Sequence, residues 1–141
     1  MMPLGKPRAF SLLAVALLAT GCANSTRIYV KSTPTTNGGN TFYMMARSVD
    51  DKTTVNEQYQ DVAAKLFADP PDPTVIAGQP IFPGTPATVT VSEADAKQVV
   101  VYFFYTKPLT NWRVPLPRPL PAEVYIDLGP NQIERVQIRK R

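Results

Sequence analysis

The chain has no histidine and only one cysteine, Cys22, among its 141 residues. Without histidine, neither a Ser-His-Asp nor a Cys-His arrangement can be assembled. Without a second cysteine there is no disulfide within the chain, and a zinc site, built mainly from those two residue types, lacks its ligands. The adjacent acids that remain are Asp50 with Asp51, Asp69 with Asp72 and Glu93 with Asp95. All lie among turn residues, where carboxylates cap or face solvent. No pattern places two of them in one apolar pocket, as acid–base work requires. A phosphate-cradling glycine loop is missing too: Gly38-Gly39 follows Asn37 and marks a turn. The expectation is a protein with no catalytic residue, no metal, no cofactor and no small-molecule substrate.

Charge and long apolar runs are also scarce. The formal net charge is +4, and it falls to +2 once Lys6 and Arg8 are set aside, which is too little to argue for nucleic-acid binding. The one basic cluster is the tail, Arg135, Arg139, Lys140 and Arg141, either solvated or touching acidic lipid or a partner. The apolar run Ala9 to Ala19, broken by Ser11, is too short to span a bilayer. Lys6 and Arg8 precede it and the small residues Thr20 and Gly21 follow, the pattern of a secretory signal.

The segment Leu18-Ala19-Thr20-Gly21-Cys22 resembles the bacterial lipobox, with Ala19 where leucine is usual. That resemblance implies cleavage before Cys22 and acylation of its thiol and new amine. Residues 1–21 are then a signal peptide and residues 22–141 one periplasmic domain. Two or more acyl chains anchor a protein stably without crossing the membrane. Ala23, standing where an aspartate would retain the protein, implies by resemblance to enteric sorting rules an outer-membrane site facing the periplasm.

Fifteen prolines punctuate the chain and argue against a helical protein. Between them lie short alternating runs that read as strands: Arg27 to Ser32, Thr41 to Ser48, Ala87 to Val91, Val124 to Leu128 and a last one around Val136 and Ile138. Thr74 to Phe82 is extended, with interruptions at Gly78 and Pro80. Val55, Tyr59, Val62, Ala63, Leu66 and Phe67 follow helical spacing, which predicts one helix over 54–68 capped by Thr53 or Thr54. The run Gln98 to Thr106 is apolar on both faces, so either the helix or a partner protein covers its outer side. Pro115, Pro117, Pro119 and Pro121 alternate; they either blunt a sheet edge or form a polyproline recognition segment. The whole predicts a mainly β protein, a two-sheet β-sandwich with one helical insertion.

The order of these features resembles the TssJ family, the outer-membrane lipoproteins of type VI secretion systems. The pieces that carry the resemblance are Pro83-Gly84 before a strand, the run Val99 to Tyr105, Trp112-Arg113 and the closing hairpin. It implies a transthyretin-like sandwich and a structural role: binding the periplasmic domain of the inner-membrane protein TssM, partly through the loop between the first two strands. Here that loop is Ser32 to Asn40, and it offers Thr35, Thr36, Asn37, Gly38, Gly39 and Asn40. It is short and lacks the family's leucine-asparagine-proline lead-in. Trp112 is either a packing anchor or an interface residue. The competing reading is a lipid-anchored periplasmic module that binds a small ligand or an envelope polymer in an apolar pocket. Replacing Cys22 with alanine is predicted to leave the precursor unacylated and to move the protein out of the membrane fraction. An unmodified N-terminus on the native protein, read by mass spectrometry, would contradict the anchor.

Overall fold

Alternation of apolar and polar residues resolves, in the computed structural model, into strands joined by short turns. Residues 5, 25–92 and 97–141 are described. The expected signal segment, Cys22, and the Glu93–Asp95 pair lie outside the described residues. The elements are β1 (Ser25–Lys31), β2 (Phe42–Val49), α1 (Tyr59–Ala64), β3 (Val75–Ile81), β4 (Ala87–Ser92), β5 (Gln98–Phe104), β6 (Arg113–Pro115), β7 (Glu123–Leu128) and β8 (Ile133–Arg139). They form two four-stranded sheets, ordered β4-β1-β7-β8 and β3-β2-β5-β6. All pairings are antiparallel except β1 with β7. The predicted sandwich is what forms. The three-residue β6 was not foreseen, because it is too short to show a period.

The two inner faces meet in one core. Ile28, Val30, Val124 and Ile126 come from the first sheet, and Phe42, Met44, Val101 and Phe103 from the second. The first sheet is one-sided. Its outer face carries Arg27, Glu123 and the stacked rings of Tyr29 and Tyr125, 4.9 Å apart. The second sheet is not one-sided. Met45, Val49, Val100 and Tyr102 on its outer face form a second buried cluster with Val62, against which Leu66, Phe104 and Trp112 pack. The cover predicted for β5 is therefore the insertion between β2 and β3. Each aliphatic side chain buried there contributes about 1.5–3 kcal/mol. The approach is close: a Cβ at Gly78 would sit 2.8 Å from Leu66 Cδ1. All these strands and both clusters lie within residues 25–141.

The insertion is not the single helix expected over 54–68. A 3-10 turn at Thr54–Asn56 is followed by extended Glu57, α1 begins at Tyr59, and a second 3-10 turn covers Lys65–Phe67. Neither threonine caps α1; its cap position is Gln58, which makes no side-chain bond, while the Thr54 hydroxyl bonds to the Asp51 carbonyl. Val55 and Phe67, on the expected apolar stripe, are exposed.

Glu57 accounts for the break. Its carboxylate, whose side chain is 7% exposed, accepts from Arg47 Nη1 at 2.5 Å, from Arg113 Nη1 at 3.1 Å and from the Tyr102 hydroxyl at 2.9 Å. Arg47 is buried on β2 and also donates from Nε to the Thr74 hydroxyl at 2.9 Å. Helical backbone at Glu57 would compete with these three bonds. Burial, and then the bond to Glu57, raises the Tyr102 hydroxyl pKa above the usual tyrosine range, so it stays a donor. At the far end of the insertion the Thr74 hydroxyl and N–H, and then Lys65, hold the Asp72 carboxyl at about 2. Asp72 therefore stabilises the fold above the free value of 3.8, and this contribution is lost as pH falls through about 2.

The alternating prolines divide into two groups. The N–H of Leu116 donates to Val99 O at 2.8 Å, so the even positions of this strand face β5 and Pro115 lies on the free edge. That matches the edge-blunting reading. The alternation ends at the cis bond between Arg118 and Pro119, and Leu120 and Pro121 turn into the sandwich as the chain crosses to β7. Trp112 is a packing residue: its ring meets Tyr59 edge-on at 5.0 Å and lies 5.8 Å from Tyr102.

Glu57→Ala is expected to lower stability by about 3 kcal/mol, because two arginines lose their buried acceptor. Val55→Ser, at an exposed position, is expected to change it by less than about 0.5 kcal/mol. Urea unfolding of both variants checks the contrast, and equal effects would contradict it.

Candidate functional site

Strand direction sorts the connections. The β1–β2, β3–β4, β5–β6 and β7–β8 links all emerge at one end of the sandwich. The start of β1, the Pro117–Pro121 crossover and the tail of β8 lie at the other.

At the first end, the β1–β2 loop winds through Thr36–Gly39 with three successive positive φ angles: 53° at Asn37, 62° at Gly38 and 81° at Gly39. Such a run is steep for side chains with a Cβ and open to Asn-Gly-Gly. Thr36 and Asn37 point inward and are buried, while Thr35, Gly38, Gly39 and Asn40 are exposed. The Thr36 hydroxyl accepts from Thr33 N–H at 3.0 Å. Asn37 is the joint between three loops. Its N–H donates to Pro130 O at 2.9 Å, its Oδ1 accepts from Thr106 N–H at 2.9 Å, and its Nδ2 donates to Asn40 O at 3.0 Å. The β3–β4 turn joins them, as Gly84 N–H donates to the Ser32 hydroxyl at 3.0 Å. Leu109 N–H reaches Asn131 O at 2.9 Å, which ties the last two loops.

The six loop residues singled out from sequence thus have two duties. Thr36 and Asn37 hold the loop, and the other four present it. Between the loops lies an open depression of 380 Å³ lined by Thr35, Asn37, Gly38, Asn40, Thr106, Lys107, Pro130 and Asn131. Thr106, Lys107, Pro130 and Asn131 were not foreseen as part of this surface. In the sequence Pro130-Asn131 signals a turn and nothing more, and only the sheet order brings it beside Asn37. Phe82 and Leu109, 54% and 56% exposed, are apolar residues on the same set of loops. The depression itself is lined by hydroxyls, amides, backbone groups, one proline ring and one lysine. Among the described residues no three His, Cys, Asp or Glu side chains gather in a metal-binding group, and no helix is long and apolar enough to cross a membrane.

Asn37→Ala is expected to destabilise the protein by about 2–3 kcal/mol, adding a strained φ to two lost side-chain bonds. Asn37→Gly relieves the strain and keeps only the bond loss. Hydrogen exchange at the Thr106 amide is expected to speed up in both. An unchanged Thr106 rate would show that Asn37 does not join the loops.

No curated protein matches the chain in sequence. The family model described as IglE, N-terminal domain, matches residues 43–128, more than half of the chain. Among solved structures, the type VI secretion lipoprotein TssJ1 from Pseudomonas aeruginosa shares 14% identity, with 84% of this chain and 98% of that chain covered and a TM-score of 0.59. The Serratia marcescens Lip, described as a membrane-bound component of the type VI secretion system, shares 14% identity over 80% of this chain and 97% of that chain, with a TM-score of 0.62. A chain in a structure described as the T6SS protein TssM C-terminal domain (869-1107) from EAEC shares 16% identity over 78% of this chain and 95% of that chain, with a TM-score of 0.61. The sandwich is the fold of these proteins, and the chain belongs to the family described as IglE, N-terminal domain.

Proposed function

We propose that this protein is a structural, non-enzymatic lipoprotein of a type VI secretion membrane complex. In this reading residues 1–21 are removed, Cys22 is acylated, and the domain is held at the outer membrane facing the periplasm. Its loop end then binds the periplasmic domain of a TssM-like inner-membrane component. The observation that carries the reading is the polarity of the sandwich. Ser25, where β1 begins, is the third residue after Cys22, and the four joined loops sit at the opposite end. An anchored domain with that layout points its built loop surface away from the membrane. The occurrence of the same fold in a structure described by the TssM C-terminal domain supports the choice of partner.

The binding surface assigned here is Thr35, Gly38, Gly39 and Asn40, with Thr106, Lys107 and Asn131 beside them. Thr36 and Asn37 act through the loop they hold. At the loop end the small-ligand reading finds no support: the depression there is open and polar rather than a concave apolar pocket.

The test is calorimetry of the mature domain with a TssM-like periplasmic domain from the same genome. Binding is expected. Asn40→Arg combined with Lys107→Glu is expected to weaken it by about tenfold or more, with an unchanged melting temperature. No binding by the unaltered domain would contradict the assignment of the partner. Full affinity in the double variant would remove the loop end from the interface.

A further inference from the structure

The end of the sandwich opposite the loops has a chemistry of its own. The tail of β8 runs out beside the start of β1, where the Arg141 guanidinium donates to the Ser25 carbonyl. Ala122 closes the corner: its carbonyl accepts from Arg27 N–H and its N–H donates to Arg139 O, both at 3.1 Å. The Pro117–Pro121 crossover lies against this corner, and between them runs an open groove of 430 Å³. Pro117, Pro119 and Ile138 give it an apolar floor, and Arg118, Lys140 and Arg141 a cationic rim. Ile138 pairs with Val124 and so faces the core side of its sheet, yet it is 43% exposed at the open edge.

Two of the nearby cations already have partners. Arg118 meets Asp51 at 2.5 Å and Arg139 meets Glu123 at 3.4 Å. Among the described residues no ion pair involves Lys140 or Arg141, and the Arg141 guanidinium is held only by the Ser25 carbonyl. A corner with an apolar floor and a cationic rim matches the boundary between phosphate headgroups and acyl chains, where basic side chains keep their charge in the polar layer. Position agrees with charge. Ser25 is the third residue after Cys22, and three residue steps can reach at most about 10 Å, so an acylated Cys22 keeps this corner near the bilayer.

We propose that this corner seats the domain on an anionic phospholipid surface, with Lys140 and Arg141 on lipid phosphates and Ile138 with the two prolines at the headgroup boundary. The inference rests on the reading that Cys22 is the anchored residue, and it adds an orientation to it. Acyl chains hold the protein at the membrane but leave it free to tumble, whereas a seated corner fixes the loops pointing outward.

Residues 25–141, which carry both cores and no acyl chain, are tested by cosedimentation with two kinds of vesicle. One is phosphatidylcholine alone and the other phosphatidylcholine with phosphatidylglycerol. Binding is expected to the second only, and to weaken as salt is raised. Lys140→Gln with Arg141→Gln is expected to reduce it about twenty-five-fold, each cation near the surface contributing about fivefold. Ile138→Ser is expected to weaken it further with the charges intact. Equal binding to both vesicles, no binding at low salt, or unchanged affinity in the double variant overturns the proposal. So does loss of TssM-like domain binding in the double variant, which assigns the corner to a protein. Mass spectrometry of the native N-terminus separates the two readings: an unmodified Cys22 removes the anchor and leaves the vesicle result standing, and an acylated Cys22 with no vesicle binding does the reverse.

Discussion

A strand that is apolar on both faces cannot lie at a surface, and β5 is such a strand. Val99, Val101 and Phe103 fill the space between the sheets, while Val100 and Tyr102 point the other way. The outward pair needs a cover, and the segment between β2 and β3 supplies it. Apolar contact from Val62 and Leu66 is not directional and would allow the segment to slide. Glu57 removes that freedom, because its carboxylate has one place to go, between Arg47, Tyr102 and Arg113. Two charges taken out of water regain little beyond their desolvation cost, so the pair adds position more than net stability.

With the insertion fixed across one sheet face and the other sheet faced with polar residues, the two ends of the sandwich are left to interact. They differ in kind. The loop end is joined by directed hydrogen bonds through Asn37, with exposed hydroxyls and amides around it. The opposite end is a cationic corner with an apolar floor beside the chain's entry into β1. In the proposed arrangement each end meets one partner, lipid at the corner and polypeptide at the loops. The prolines serve this division by leaving Pro115 without a donor on the free edge of β6, which keeps that edge from recruiting another strand.

The sandwich was legible in the sequence because alternation is a local signal. Ile28 and Val30, or Val124 and Ile126, announce a buried strand face without reference to anything distant. The two-sided character of β5 was legible for the same reason, and of the two covers it left open, helix or partner protein, the insertion is the one found. The break in the helix was not, since helical spacing at Val55 and Tyr59 says nothing of a carboxylate drawn out of register by arginines 10 and 56 residues away. The short β6 carried too few residues to show a period. At the loop end, Thr35 to Asn40 could be named from the turn residues and the resemblance to TssJ proteins. The inward turn of Thr36 and Asn37, and the presence of Thr106 and Asn131 beside them, depend on which strands pair across the sheets.

The central claim is that the loop end meets the protein partner and the opposite corner does not. Hydrogen–deuterium exchange of the mature domain, alone and saturated with a TssM-like periplasmic domain, tests it most directly. The account predicts slowed exchange at the amides of Thr35 to Asn40, Thr106, Lys107 and Asn131, with Arg118, Leu120 and residues 138–141 unchanged. Slowing confined to that corner, with the loop amides exchanging as in the free domain, would contradict it.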